Sequence, residues 1–212
     1  MLTAAAVLAV LAGAQDFGAP PQDVSSAKLI LDHRTVVAGQ PFWAGVQITQ
    51  DDGWHSYWVN PGDSGLPTTV DWTLPPGWTV SAMRSPVPEI FRETSGTTFG
   101  YKGPAVHLFR IVPARNAKGE GRLSAKVNWM VCQESCILQR GELTGKVNVG
   151  AAPELDAQGR PAVLAAVGKL PIPLKGATAR RVRERFVLTL PASGLPADEP
   201  RFLADTGSTM DH

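Results

Sequence analysis

The chain has 212 residues, of which 43% are hydrophobic and 18% are charged. This length allows one complete domain plus a fragment, and the composition is that of a globular protein rather than a disordered one. The 20 Lys and Arg residues nearly balance the 19 Asp and Glu residues, so a partner bound through net charge, such as nucleic acid, is not expected.

The N-terminus has the features of a signal peptide. An apolar run at residues 4–11 is followed by Ala12-Gly13-Ala14, and small residues in this arrangement precede the cleavage site of exported proteins. We therefore predict a signal peptide at residues 1–14 and an exported chain that starts near Gln15. The absence of Lys or Arg before the apolar run departs from the signal-peptide pattern and points to a start codon further upstream. An uncleaved apolar tail is the alternative to an exported chain. No later apolar run approaches the roughly 20 residues that cross a bilayer.

Alternation of apolar and polar residues dominates residues 28–149, which is typical of short β-strands. Turn-forming residues such as Asn60-Pro61-Gly62-Asp63 separate the runs, because Gly supplies a positive φ and Pro presets its own. The predicted fold class is therefore all-β, with a β-sandwich at residues 15–150. Its predicted strands include 42–49, 54–59, 68–74, 105–112 and 122–131.

The composition changes after residue 150. The stretch 161–170 begins with Pro and is rich in Ala and Leu, which predicts a short helix within a linker at residues 151–179. From residue 180 a new alternating strand begins, with Phe186, Leu188 and Leu190 on one face. About thirty residues are too few for an independent sandwich, so residues 180–212 are predicted to be an incomplete second β domain.

The chain contains 2 cysteines, Cys132 and Cys136. Val127, Trp129 and Val131 alternate just before them, so these three side chains are predicted to face the core and Cys132 the opposite, more accessible face. A bridge needs Cα atoms within about 7 Å, whereas four residues of straight strand span roughly 13 Å. We therefore predict a tight hairpin at residues 133–135, with both sulfurs at its surface end.

The residues alone leave three interpretations of this pair open. A structural disulfide is common in exported domains. A redox-active pair is favoured by the short loop, because such a bridge constrains little chain entropy and tight geometry makes it easier to reduce. Half of a zinc site has similar spacing, but no matching second half is present, and we expect neither a metal nor another cofactor. The histidines that could complete such a zinc site are scattered along the chain, at His33, His55, His107 and His212.

Three strings in the chain carry a family resemblance. They are DGWHSYWVNPGDSGLP at residues 52–67, FGYKG at residues 99–103 and VNWMVCQESC at residues 127–136. In order and spacing they resemble the N-terminal periplasmic domain of the membrane thiol-disulfide interchange reductases DsbD and ScsB, over roughly residues 25–150. The cysteine spacing is closer to the ScsB branch, which is linked to suppression of copper sensitivity.

The resemblance implies an immunoglobulin-like sandwich that acts in the periplasm as a thiol-disulfide oxidoreductase of the protein-disulfide reductase type. Such a domain receives electrons through a transmembrane domain and a thioredoxin-like domain, and the 212 residues carry neither. It passes them to thioredoxin-fold disulfide isomerases or reductases. The resemblance also assigns the mixed disulfide with the client to Cys136 and the resolution of that intermediate to Cys132.

The resemblance further implies a cap over the disulfide. Members of the family shield the bridge with a loop that moves aside for the partner, and the matching stretch here is Thr98, Phe99, Gly100 and Tyr101. Functional lids are commonly loops. An ordinary Gly-containing turn, with an aromatic side chain over the edge of the core, is the alternative.

His55 and Tyr57 are implied to flank the cysteines. They alternate with Trp54, Ser56 and Trp58, so the two sets face opposite sides of a strand. A nearby His55 would favour the thiolate, which is the attacking species in exchange, whereas a cross-strand surface pair is the alternative. The loop at residues 60–67 is interpreted as architecture, since its residues all favour turns.

A function of a different class is the competing hypothesis. In it the chain is a non-catalytic sandwich of the cell envelope that binds a ligand or assembles with other proteins. The disulfide is then structural, and the exposed aromatic side chains of Trp54 and Trp58 form the contact surface. A redox titration separates the two hypotheses, because structural bridges resist reduction.

Overall fold

The computed structural model describes residues 23–93, 96–173, 175–191 and 203. The predicted signal peptide lies outside these residues, as does most of the stretch after residue 191. One helix, α1, spans Gly159–Val167. The strands are β1 Ser25–Leu31, β2 His33–Val37, β3 Phe42–Gln50, β4 His55–Gly62, β5 Thr69–Thr73, β6 Thr79–Val80, β7 Glu89–Glu93, β8 Gly96–Tyr101, β9 Ala105–Val112, β10 Gly119–Cys132, β11 Cys136–Gly150, β12 Glu154–Leu155, β13 Thr178–Val182 and β14 Arg185–Thr189.

Two sheets form an immunoglobulin-like sandwich, as predicted. The small sheet has the strand order β1-β3-β9-β6. The large sheet has the order β12-β2-β11-β10-β4-β8-β7, with β5 paired to β10. The five strands predicted from alternation all form, as β3, β4, β5, β9 and β10. Alternation predicts them well because each of these strands turns apolar side chains toward the core.

The core lies between the two sheets and is filled from both of them. Val46 and Ile48 of β3 and Phe109 of β9 meet Val127 and Trp129 of β10 in one buried cluster. The predicted inward face of β10 is therefore confirmed. A second cluster continues the core toward the other end of the sandwich, with Val36, Phe42, Ala44, Trp78, Ile111, Leu123 and Val147.

Helix α1 packs on the outer face of the small sheet. The Asp156 carboxylate accepts hydrogen bonds from the amides of Gln158 (2.9 Å) and Gly159 (2.6 Å) where the helix begins. Its apolar face carries Val163 and Ala166, both buried against β1 and β9, as the helical period of 3.6 residues allows. The predicted helix is confirmed, but it is docked on the sandwich, whereas the sequence places it in a linker.

Strands β13 and β14 form a separate two-stranded sheet. The hairpin leaves apolar side chains exposed, namely Val182, Leu188 and Leu190. Among the described residues no helix is long and apolar enough to cross a bilayer.

Candidate active site

The two cysteines close the hairpin between the longest strands of the large sheet. β10 ends at Cys132 and β11 begins at Cys136, and these residues are direct partners in the antiparallel register. Their Cα atoms are 4.1 Å apart and their sulfurs form a disulfide. Within the turn, the amide of Gln133 donates to the carbonyl of Ser135 at 3.1 Å. The predicted hairpin is confirmed, and the bridge lies outside the space between the sheets.

The two cysteine residues differ in exposure. Cys136 is exposed, whereas Cys132 is only 3% exposed. The prediction that Cys132 is accessible is therefore wrong. Cys132 does face away from Val131 and the core, but it lies between two strands, with His55 of β4 opposite on one side and Cys136 opposite on the other. Alternation along a strand predicts which face of the sheet a side chain lies on. It does not predict how far the neighbouring strands bury that side chain.

His55 and Tyr57 lie on the same face of the sheet as the disulfide. His55 is opposite Cys132, and Tyr57 follows two residues later on the same side of β4. The Tyr57 hydroxyl is 3.9 Å from Cys136 Sγ, and His55 Nε2 is 3.3 Å from that hydroxyl. A polar chain of His55, Tyr57 and Cys136 therefore runs diagonally across β10.

Residues 60–62 of the predicted loop belong to strand β4, and the loop that follows them supports the Tyr57 ring. Gly65 has a φ of +91°, and a Cβ at this position would collide with the ring of Tyr57. Asp63 ties the loop to the start of β8, since its carboxylate accepts from the Thr97 amide at 2.6 Å and its own amide donates to the Thr97 carbonyl at 2.9 Å. The interpretation of this loop as architecture agrees with these contacts.

Thr98 to Tyr101 are part of strand β8 and do not form a loop. β8 pairs with β4 on one side and with β7 on the other, so the predicted loop conformation is wrong. Gly100 is required by the close approach of two backbones, because a Cβ there would collide with the carbonyl oxygen of Ser56. The glycine that suggests a turn in the sequence instead allows a tight strand pair.

The register of β8 also separates the predicted cap residues. Tyr57 is opposite Gly100 and Ser56 is opposite Tyr101, and directly opposite residues share a face. Thr98 and Gly100 therefore lie on the disulfide face, whereas Phe99 and Tyr101 lie on the core face. The Phe99 ring packs edge-on against Trp58 at 6.5 Å between centroids, and the Tyr101 hydroxyl donates to the Pro86 carbonyl at 2.8 Å. Neither aromatic side chain covers the disulfide.

Phe91 is a neighbour of the site that the sequence analysis does not identify. It lies on the edge strand β7 opposite Thr98, and its ring centroid is 4.9 Å from that of His55. Lys102 Nζ lies 5.4 Å from the centroid of the same ring. The alternating segment Glu89-Ile90-Phe91, bounded by Pro88, is the signal that would predict this strand.

The tryptophans at residues 54 and 58 are not an exposed pair. Trp58 is 7% exposed and Trp54 packs against the core, so the contact surface of exposed tryptophans that the competing hypothesis predicts is wrong.

Among the described residues no three His, Cys, Asp or Glu side chains form a group that could hold a metal ion. The chemistry that this site offers is thiol-disulfide exchange, with one exposed and one buried cysteine.

Comparison with known proteins agrees with that chemistry. The family model described as the N-terminal domain of the thiol:disulfide interchange protein DsbD matches residues 26–148, more than half of the chain. None of the curated proteins matches the sequence.

Among the solved structures that match are two N-terminal domains of thiol-disulfide interchange proteins. The N-terminal periplasmic domain of ScsB from Proteus mirabilis superposes with a TM-score of 0.58 at 19% identity and shares the fold. The match covers 82% of this chain and 66% of that one, so this chain spans a little under two thirds of it. The reduced N-terminal domain of DsbD from Neisseria meningitidis has a TM-score of 0.37 at 14% identity, over 65% of this chain and 94% of that one.

Proposed function

This chain belongs to the family of the N-terminal domain of the thiol:disulfide interchange protein DsbD, and we propose that it relays electrons from a membrane reductase to thioredoxin-fold disulfide isomerases or reductases. Thiol-disulfide interchange at Cys132 and Cys136 follows from the family and the bonded pair. The direction of transfer, the partners and a periplasmic location are the proposal. The observation that carries it is the contrast between an exposed Cys136 and a shielded Cys132.

Reduction of the domain begins at the exposed sulfur. A donor thiolate attacks Cys136 Sγ in line with the disulfide, the S–S bond breaks, and its electron pair leaves on Cys132 Sγ. The second donor thiolate then attacks the donor sulfur of the mixed disulfide, and the electron pair of that bond passes to Cys136. The donor ends as a disulfide, and two electrons and two protons reside on the cysteine pair.

Reduction of the client uses the same sulfur in the opposite direction. The Cys136 thiolate attacks the client disulfide, and one client thiolate leaves. Cys132 then loses its proton and attacks Cys136 Sγ, so the bridge forms again and the second client thiolate leaves. Cys132 needs only to reach Cys136, its direct neighbour in the register, and its burial is compatible with that role.

The partner side of the proposal rests on the family. The similar ScsB domain is described as periplasmic, and members of the family interact with thioredoxin-like redox partners. We propose the same compartment and partner class for this chain. The exposed β13–β14 hairpin, with Val182 and Leu188 uncovered, is proposed as part of a second β unit.

A redox titration tests the proposed relay. The protein is equilibrated in glutathione buffers of graded potential, and the reduced fraction is measured from the mass added by a thiol-alkylating reagent. We expect the pair to equilibrate reversibly, with a potential above roughly −300 mV. A bridge that stays oxidised to potentials below roughly −300 mV is structural, and this result would contradict the relay.

A further inference from the structure

We propose that Tyr57, held in place by His55, donates a hydrogen bond to the Cys136 thiolate and thereby sets the reactivity of the partner-facing sulfur. This inference deepens the proposed function and rests on it. Tyr57 is the donor that touches the reacting atom, and His55 is a positioning residue that acts through it.

The contacts that carry the inference form one chain. The Tyr57 hydroxyl is 3.9 Å from Cys136 Sγ and 3.3 Å from His55 Nε2. The two rings also meet edge-on, with centroids 5.1 Å apart. Gly65 also packs against the tyrosine ring. The phenol is therefore held by two neighbours, and its hydroxyl lies within hydrogen-bond distance of the sulfur.

Burial makes this hydroxyl more effective than the charges nearby. Tyr57 is 2% exposed, so water competes little for its hydroxyl, and a donor shielded from water forms an electrostatically stronger hydrogen bond. The charged side chains around the hairpin are all exposed, so solvent and salt screen them. These charged side chains are Asp52, Glu134 in the turn between the cysteines, Arg140 on the same face of β11 as Cys136, and Lys102 next to the Phe91 ring.

The hydrogen bond acts whenever charge develops on Cys136. When the donor resolves the mixed disulfide, the S–S bond to Cys136 breaks and its electron pair remains on Cys136 Sγ. The Tyr57 O–H then faces a full negative charge instead of a neutral sulfur, and hydrogen bonds to charged acceptors are about twice as strong as neutral ones. The thiolate is stabilised as a leaving group and populated as a nucleophile.

Alkylation of a single thiol measures this effect without any partner. In the full chain carrying Cys132→Ser, Cys136 is a free thiol, and its rate of reaction with iodoacetamide is followed from pH 5 to 11. Addition of Tyr57→Phe is expected to move the midpoint of the rate profile up by about one pH unit, because hydrogen bonding to the charged form favours that form. At pH 7 the rate should fall only about threefold, since a more basic thiolate is also intrinsically more nucleophilic.

The chain provides a matched control. Tyr57 and Tyr101 are its 2 tyrosines, and Tyr101 lies on the opposite face of the same sheet. Tyr101→Phe also removes a buried hydroxyl, and it should leave the profile of Cys136 unchanged. His55→Phe keeps an aromatic ring beside Phe91 and should move the midpoint in the same direction as Tyr57→Phe, by a smaller amount.

Two outcomes would overturn the inference: a Tyr57→Phe profile that coincides with the parent, or equal shifts in Tyr57→Phe and Tyr101→Phe. Near-ultraviolet circular dichroism identifies a variant that has lost its fold, and Tyr57→His then serves as the second variant because it retains a ring N–H donor. For that variant, a midpoint equal to that of the parent supports the inference, and one above it counts against it. The assay contains neither donor nor client, so its failure is distinct from a failure of the relay in the glutathione titration.

Discussion

At the scale of single residues, the disulfide gains its asymmetry from its neighbours and not from the bond itself. Cys132 and Cys136 occupy one rung of the hairpin, but only Cys132 has a further strand beside it, with His55 opposite. Exchange requires in-line access to one sulfur. The sequence predicts the hairpin from the spacing of the cysteines, but the strand that shields Cys132 arrives from 77 residues earlier in the chain, and no local pattern encodes that pairing.

His107 is a buried residue with a consequence for stability. Its ring is fully buried in the core, Nδ1 lies 2.8 Å from the Ser85 hydroxyl, and Nε2 has no hydrogen-bond partner among the residues that the structure describes. Burial lowers the pKa of His107 to about 4. The folded state therefore favours the neutral imidazole, whereas the unfolded chain binds a proton near pH 6.5.

The sign of the pH effect follows from this difference. As pH falls from about 6.5 to about 4, the unfolded state takes up a proton that the folded state does not, so stability falls with pH by up to about 3 kcal/mol. His107→Asn should flatten this part of the curve, because its amide does not titrate. Urea unfolding at pH 7, 6, 5 and 4 gives the free energies of unfolding, and parallel curves for the two proteins would contradict the assignment.

At the scale of elements, helix α1 is part of the sandwich. Val163 and Ala166 are buried with Ile30 and Leu108, and a Cβ at Gly159 would collide with the Leu31 carbonyl. The sequence predicts the helix from Pro161 and the Ala-rich run. Because this segment has few polar residues, the sequence does not show which face of the helix is buried or which surface of the sandwich it packs on. Composition after residue 150 suggests a boundary, whereas packing places the helix with the strands before it.

Two adjacent substitutions test this docking. Val163 is 0% exposed and Leu164 is 50% exposed. Val163→Ala removes two buried methyl groups and leaves a small cavity, which should lower the free energy of unfolding by about 2 kcal/mol. Leu164→Ala is the matched control and should change it by less than about 0.5 kcal/mol. Equal, small effects in urea unfolding would indicate a helix that is only loosely attached.

Strand β8 illustrates where sequence patterns mislead at this scale. Its segment contains two glycines and lies between turn-forming residues, which is also the composition of a loop. A glycine is nevertheless required at position 100 because the Ser56 backbone lies too close for a Cβ atom. This is a tertiary contact, and the local composition does not predict it. The long alternating strands β9 and β10 are free of this ambiguity, because their apolar side chains repeat with a period of two and fill the core.

At the scale of the whole molecule, we expect the core, rather than the disulfide, to stabilise the sandwich. Two buried clusters fill the space between the sheets, and the bridge joins residues separated by only 4 positions. The fold class and the hairpin could be predicted from the sequence pattern, and the chemistry of the cysteine pair from the resemblance of its motifs to a known family. Three features could not be predicted, because each depends on contacts between distant segments of the chain. They are the difference in exposure between the two cysteines, the packing of Phe91 against His55 and the docking of the helix.

Removal of both cysteines tests the independence of the core. Cys132→Ala combined with Cys136→Ala should leave a cooperatively unfolding protein, with a loss of no more than about 2 kcal/mol, because so short a loop restricts the unfolded chain little. Urea unfolding followed by tryptophan fluorescence measures this loss. Loss of cooperative unfolding would instead identify the bridge as a structural requirement.

The inequality of the two cysteines is the central claim, and trapping of a client tests it most directly. Each single variant, Cys132→Ser and Cys136→Ser, is incubated with an oxidised thioredoxin-fold disulfide isomerase, and mixed disulfides are quantified on non-reducing gels. Cys132→Ser should accumulate a stable mixed disulfide, since Cys136 is exposed and no resolving thiol remains. Cys136→Ser should trap little, because Cys132 is 3% exposed. Equal trapping by the two variants, or stronger trapping by Cys136→Ser, would contradict the account.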